Sequence, residues 1–196
     1  MDIPLSDHEK DFLLTLARQT ILKAVNQHPL PTWQDADLTD ALSQKGASFV
    51  TLTMDGDLRG CIGSLEAYQS LVEDVREHAR QAALEDHRFP PVTNAEISRL
   101  HIEISRLTPS VPLGYQNPAD LPGLLNPNVD GVILKDGFRR ATFLPQVWQQ
   151  LPNEEEFLSH LCTKMGAASD LWKRKVLEVS IYHVEEFEDK QLGSRC

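Results

Sequence analysis

Two Asp-Gly pairs, Asp55-Gly56 and Asp136-Gly137, each stand between runs in which apolar and polar residues alternate. That alternation is the period of a half-buried strand, and Asp-Gly between two such runs marks a tight hairpin. Val50, Leu52 and Met54 interleave with Thr51 and Thr53 ahead of the first pair, and residues 131–135 and 138–144 flank the second. Strands joined this way are antiparallel. Residues 101–106 read as a further strand, with Ile102 and Ile104 on one face and Glu103 on the other, and residues 176–187 read as one last long strand.

Helical patterns lie between these strands. Ser6 and Glu9 have capping-box spacing, and Leu13, Leu16, Ala17, Thr20, Ile21 and Ala24 follow at helical intervals, predicting a helix over 7–26. Ser70 and Glu73 repeat that spacing ahead of Leu71, Val72, Val75, Ala79 and Ala82, predicting a second over 70–85. A third is expected over 153–167, ended by Gly166. Short helical turns are expected within 36–44, from Asn94 to Leu100, and around Trp172. Residues 108–130, with Pro109, Pro112, Pro118, Pro122 and Pro127, read as a long irregular connection holding one helical turn. Hairpins and helices without β-α-β alternation predict an α+β fold, an antiparallel-rich sheet flanked by helices.

Chemistry concentrates in Leu58-Arg59-Gly60-Cys61-Ile62-Gly63. Strand alternation puts Arg59 and Cys61 on one face, where the guanidinium could lower the thiol's pKa or hold an anion. Gly60 and Gly63 are expected to allow positive φ and close approach of a ligand to the main-chain N–H groups. The plainer alternative is a Cys61 that serves as a small buried hydrophobe, with the glycines marking a bulge or a tight exit. His87 and Arg88, in Glu85-Asp86-His87-Arg88-Phe89-Pro90-Pro91, read either as a base and an anion clamp facing the thiol or as a helix terminator with solvated charges.

Charge and cysteine usage narrow the classes. With 29 acidic against 19 basic residues the net charge is -10, which disfavours a nucleic-acid polyanion as partner; Arg139-Arg140 and Lys173-Arg174-Lys175 are short basic clusters. Cys61, Cys162 and Cys196 are widely spaced and make no C-x-x-C pair, so neither a disulfide framework nor a zinc knuckle is expected. Cys61 with His87, or His160 with Cys162, could ligate copper or zinc, but His160 and Cys162 point to different faces of a helix, and no metal or cofactor is expected. The first residues lack a basic and apolar leader and no run is long enough to span a bilayer, so the expectation is a soluble cytoplasmic protein without a membrane partner. The P-loop, Rossmann, H-E-x-x-H and G-x-S-x-G signatures are missing.

Residues 58–63, Arg88-Phe89-Pro90-Pro91 and Ala141-Thr142-Phe143-Leu144-Pro145-Gln146-Val147 together resemble the AMMECR family, whose bacterial and archaeal members are called AmmeMemoRadiSam system protein A. Lys164-Met165-Gly166 departs from the family's Lys-Ala-Gly at Met165. The resemblance covers nearly the whole chain. It implies a single domain over 7–190, with 1–6 and 191–196 as tails, a larger and a smaller lobe, and the Cys motif near a cleft between them. It also implies association with a Memo-like protein and a radical SAM protein, and it supplies no reaction.

Two readings of function follow. In the first, Arg59, Cys61, Glu66, His87 and Arg88 line one pocket. Cys61 is then a nucleophile, His87 or Glu66 moves protons, Arg59 or Arg88 orients an anionic small-molecule substrate, and N–H groups near Gly60 and Gly63 hold an oxyanion, as acyl transfer, hydrolysis or cysteine-based modification would need. In the second, the chain is a non-catalytic adaptor that holds a small ligand or a partner peptide, with residues 108–130 as the contact loop.

Overall fold

The computed structural model describes residues 4–34 and 38–189. The expectations for the extreme tails, for Cys196 and for a helical start at Ala36 fall outside them. The chain divides into two compact units, residues 1–107 with 185–196, and residues 108–184.

In the first unit, α1 (Asp7–Val25) begins with the expected capping box: Ser6 caps the Glu9 N–H, and the Glu9 carboxylate reaches back to the Ser6 N–H at 2.7 Å. After α2 (Asp40–Ser43) come β1 (Lys45–Met54), β2 (Asp57–Gly63), the two-residue β3 (Gln69–Ser70) and α3 (Leu71–Leu84), followed by β4 (Leu100–Leu107). The sheet runs β2-β1-β4-β9, with β3 paired to the start of β1 and β9 formed by Val184–Glu188. The β1 pairings with β2, β3 and β4 are all antiparallel. One face of this sheet carries Val50, Leu52, Ile102 and Ile104, which share a core with Leu13, Ala17 and Ile21 of α1 and Leu71, Val75, Ala79 and Ala82 of α3. Removing these aliphatic side chains from water is what holds the helices to the sheet.

The second unit holds β5 (Val111–Pro112), β6 (Gly131–Asp136), β7 (Arg139–Phe143), α4 (Glu154–Lys164), α5 (Leu171–Arg174) and β8 (Glu178–Tyr182), its sheet ordered β5-β8-β6-β7. Its core stacks Trp148 on Phe157 with centroids 3.6 Å apart, and the Trp148 indole N–H donates to the Asp130 carbonyl at 2.7 Å. The segment 141–147 is built into this core. Ala141 and Trp148 are buried, and Pro145 opens a 3₁₀ turn over Pro145–Gln149. Lys164 reaches across to donate to the Thr142 carbonyl at 2.9 Å, and Gly166, at φ +75°, turns the chain after α4. Met165 is buried in the core of this unit together with Phe157, Leu161 and Trp172.

The α+β expectation holds, with the first hairpin turning at Asp55-Gly56 and the second one residue later than expected, at Gly137-Phe138, because Asp136 pairs with Arg139. Three details differ. The last long strand is two strands in two sheets, broken at His183, whose N–H donates to Thr108 Oγ1 and whose carbonyl accepts from the Thr108 N–H. Alternation cannot reveal such a break, since both halves keep the same period. Ser70 precedes α3 without a side-chain cap; the Leu71 N–H is satisfied by the Gln44 carbonyl and Glu73 pairs with Arg76. Residues 108–130 hold two 3₁₀ turns, Pro118–Asp120 and Pro122–Leu124, and Leu121 and Leu125 between and after them are buried.

Gly60 and Gly63 are extended, and neither has the positive φ that was expected. Close packing is what requires them. A Cβ on Gly60 would lie 2.2 Å from the Ala82 carbonyl oxygen of α3, and one on Gly63 would lie 2.4 Å from the Phe49 ring. Because a helix carbonyl cannot yield as a flexible side chain can, Gly60→Ala is expected to cost about 3 kcal/mol in urea unfolding, at the upper end of overpacking penalties. Gly114→Ala, at a position with nothing within 4 Å of its Cβ, should stay within about 0.5 kcal/mol of the parent.

Candidate functional site around Cys61

β2 is an edge strand, so alternate main-chain groups along it point away from the sheet. At Cys61 these groups are claimed by one loop. The Cys61 N–H donates to Asp86 Oδ2 at 2.8 Å, and the Cys61 carbonyl accepts from an Arg88 guanidinium N–H at 3.2 Å. Asp86 and Arg88 are themselves joined in a fork, Nε to Oδ1 at 2.9 Å and Nη2 to Oδ2 at 2.7 Å, and Asp86 Oδ1 also takes the Arg88 N–H at 3.1 Å. Asp86 is buried, and the hydrogen bonds from Arg88, followed by those from the Cys61 and Arg88 amides, hold its carboxyl well below the usual range. The Arg88 guanidinium is raised chiefly by Asp86, with smaller contributions from Cys61. Pro90 and Pro91 follow, fixing an extended exit from the turn.

The register of β2 on β1 slips between Leu52 and Thr53: Leu52 faces Gly60 and Thr53 faces Leu58, leaving Arg59 as the extra residue of a β-bulge. The bulge defeats the expectation that Arg59 and Cys61 meet. Arg59 is buried and donates from Nε to Glu96 Oε1 at 2.8 Å, while the same carboxylate takes the Thr93 N–H and hydroxyl at 2.7 Å each. Arg59, with help from Thr93, pulls Glu96 down to about 2.

Cys61 itself is half-buried, and the Thr51 hydroxyl donates to its Sγ at 3.4 Å. Thr51 faces Cys61 on β2 and Glu103 on β4, so the three lie in one cross-strand row on the sheet face opposite the aliphatic core. Burial raises Glu103, and the charges of Glu186 and Glu188 raise it further, against a smaller opposing effect of His101. His87 is exposed on its loop, and Glu66 is exposed in the turn after β2, where its carbonyl accepts from the Ser64 hydroxyl. Of the residues singled out from sequence, Cys61 and Arg88 are brought into direct contact; Arg59 goes to a different partner. The Cys61 N–H is bonded to a carboxylate, which removes it as an oxyanion donor.

Sequence reading passed over Asp86, Thr51, Glu96, Glu103 and a buried cluster in which Asp74 Oδ2 accepts from the Ser48 N–H at 2.8 Å and the Ser48 hydroxyl at 2.7 Å. His78 Nδ1 lies 3.1 Å from the same oxygen but off the hydrogen-bonding direction. Asp74 and His78 stand four apart among apolar residues of α3, a signal available in the sequence. Cys162 is fully buried in the second core and raised by that burial, whereas His160 is exposed. Among the described residues no three His, Cys, Asp or Glu side chains converge on a point that could hold a metal ion, and no helix is long and apolar enough to cross a membrane.

Fold and site define an α+β protein with a half-buried thiol on a clamped edge strand. Residues 14–187 match the AMMECR1 family model, and the chain belongs to that family. It is 40% identical over 171 residues to a protein of Methanothermobacter thermautotrophicus, covering 85% of this chain and 87% of the relative. It is 34% identical over 195 residues to one of Methanopyrus kandleri, covering 95% and 91%. The crystal structure of an uncharacterized protein from Pyrococcus horikoshii superposes with a TM-score of 0.77 at 32% identity, covering 95% of this chain and 94% of that one.

The Arg59–Glu96 pair makes stability depend on acid pH. A carboxyl lowered to about 2 in the folded state, against 4.5 without its partners, stabilises fully above pH 4.5 and loses that contribution as pH falls towards 2. Urea unfolding should show a loss of about 2 kcal/mol across that window, allowing for the partial exposure of Glu96. Glu96→Gln should be less stable at pH 7 and should flatten the profile between pH 4.5 and 2.

Proposed function

We propose that the chain is a cysteine-dependent enzyme acting on a small molecule or a modification substrate, with Cys61 as the nucleophile. The observation that carries this reading is the treatment of one thiol: its main chain is fixed on both sides by the Asp86–Arg88 pair, while its Sγ stays half-buried with a hydroxyl donor at 3.4 Å. A fixed backbone holds a nucleophile in one attack geometry, and the Thr51 hydroxyl places a hydrogen-bond donor beside the sulfur. Acyl transfer, hydrolysis and cysteine-based modification all need a thiolate. Gly60 and Gly63 serve the site by letting β2 lie against α3 and Phe49, and Arg59 serves it by holding the bulge. His87 and Glu66, both exposed, are left as groups that a bound substrate would meet. The family resemblance adds a setting for the reaction, a system with a Memo-like protein and a radical SAM protein.

One observation favours a second reading, a non-catalytic adaptor for such a partner. Arg59 and Arg88 are both neutralised by internal carboxylates, so neither is a free clamp for an anionic substrate.

Alkylation by iodoacetamide, followed by mass spectrometry, separates the two. Cys61 is expected to react in the native protein at least about 10-fold faster than Cys162, whose burial raises its pKa. A Cys61 that stays inert until the protein unfolds, as is expected of the buried Cys162, would overturn the enzymatic reading and leave the adaptor.

A further inference from the structure

Of the carboxyl groups near Cys61, Glu103 is the one in its cross-strand row, on the sheet face opposite the aliphatic core. Glu103 stands across Thr51 from Cys61, because Thr51 is the register partner of both. With neighbouring strands about 5 Å apart, the two outer residues are about 10 Å apart at Cα; the Thr51 hydroxyl already contacts the Cys61 sulfur at 3.4 Å, and the transfer takes a rotation of the Glu103 side chain along the row to reach that hydroxyl. We propose that Glu103 is the proton acceptor and donor for the Cys61 thiol, with Thr51 as the connecting hydroxyl. This rests on the reading of Cys61 as a nucleophile.

The proton balance is simple. The S–H proton of Cys61 passes to Thr51 Oγ1, and the hydroxyl releases its own proton to a Glu103 carboxylate oxygen. The S–H bond and one O–H bond break, two O–H bonds form, and a thiol plus a carboxylate become a thiolate plus a carboxylic acid. No oxidant or other reactant is needed.

The surroundings of Glu103 suit the task. It is half-buried, and the charged groups acting on it are Glu186 and Glu188 of β9, which raise it, and His101 of its own strand, which lowers it by less. A carboxyl raised toward neutrality is a better proton partner for a thiol than one at its ordinary value. Nothing in the aliphatic packing of the sheet explains an acidic residue here, since Ile102 and Ile104 on either side supply the core face.

The test is the pH dependence of iodoacetamide alkylation at Cys61 in the full chain, with Glu103→Gln and with the double variant Glu186→Gln/Glu188→Gln. In the parent, the rate should rise in two steps, a small acid-side step as Glu103 ionises and the main thiol step above it. In Glu103→Gln the acid-side step should vanish and the main step should move to lower pH, raising the rate at pH 7 several-fold, because a neighbouring negative charge no longer opposes the thiolate. In the double variant, which leaves Glu103 in place, the acid-side step should move to lower pH. A reactive Cys61 whose profile is the same in the parent, in folded Glu103→Gln and in the double variant overturns the role of Glu103 alone. If Glu103→Gln does not fold, an acid-side step unmoved in the double variant overturns it. A Cys61 inert in the native parent overturns both this role and the enzymatic reading.

Discussion

The Asp86 carboxylate is the interaction on which the thiol strand depends. An edge strand leaves every second N–H and C=O without a partner in the sheet, and such groups are costly if buried and adhesive if exposed. Here Asp86 takes the outward N–H of Cys61, and Arg88, held by Asp86, supplies a donor to the outward carbonyl. A buried carboxylate with four hydrogen bonds from three groups is a strong, directional anchor. Without it, β1 would supply the only main-chain hydrogen bonds to the strand around Cys61, and the position of the thiol would be less fixed.

The Arg59–Glu96 pair performs a related task one step earlier in the strand. The bulge at Arg59 lets Gly60 come against the Ala82 carbonyl of α3 while Cys61 keeps its place opposite Thr51. Taken together, six consecutive residues combine a bulge, two positions where only glycine fits and one clamped cysteine. Each is explained by packing or by hydrogen bonding, and all of them fix where one sulfur atom lies.

Much of the fold was legible because it rests on local signals. The Asp-Gly hairpins, the Ser6–Glu9 capping box and the apolar faces of α1 and α3 are set by neighbours within a few residues. What the sequence hid depends on distant pairings. Alternation placed Arg59 beside Cys61, and only the register with β1 reveals Arg59 as the extra residue of a bulge. Periodicity likewise joined β8 to β9, because the break at His183 is made by Thr108, 75 residues away. The site was half legible: Cys61 and Arg88 were singled out and do touch, but Arg88 was read either as an anion clamp facing the thiol or as a solvated charge at a helix end, and it is neither. Its partner Asp86 lay in the same quoted segment, and nothing in one sequence says that a carboxylate will turn inward rather than to solvent. Glu103 was placed on the right face, with no local sign that it shares a row with the thiol.

The central claim, that Asp86 and Arg88 fix the outer edge of β2 at Cys61, is tested most directly by amide hydrogen exchange at Cys61 itself. Its N–H has no partner in the sheet, so its protection reports the Asp86 bond. NMR exchange rates should show the Cys61 amide protected to a degree similar to the paired amides of β1, and Asp86→Ala should accelerate its exchange by about 100-fold while β4 amides remain protected. A Cys61 amide that exchanges at the rate of an unstructured peptide in the parent protein would contradict the account.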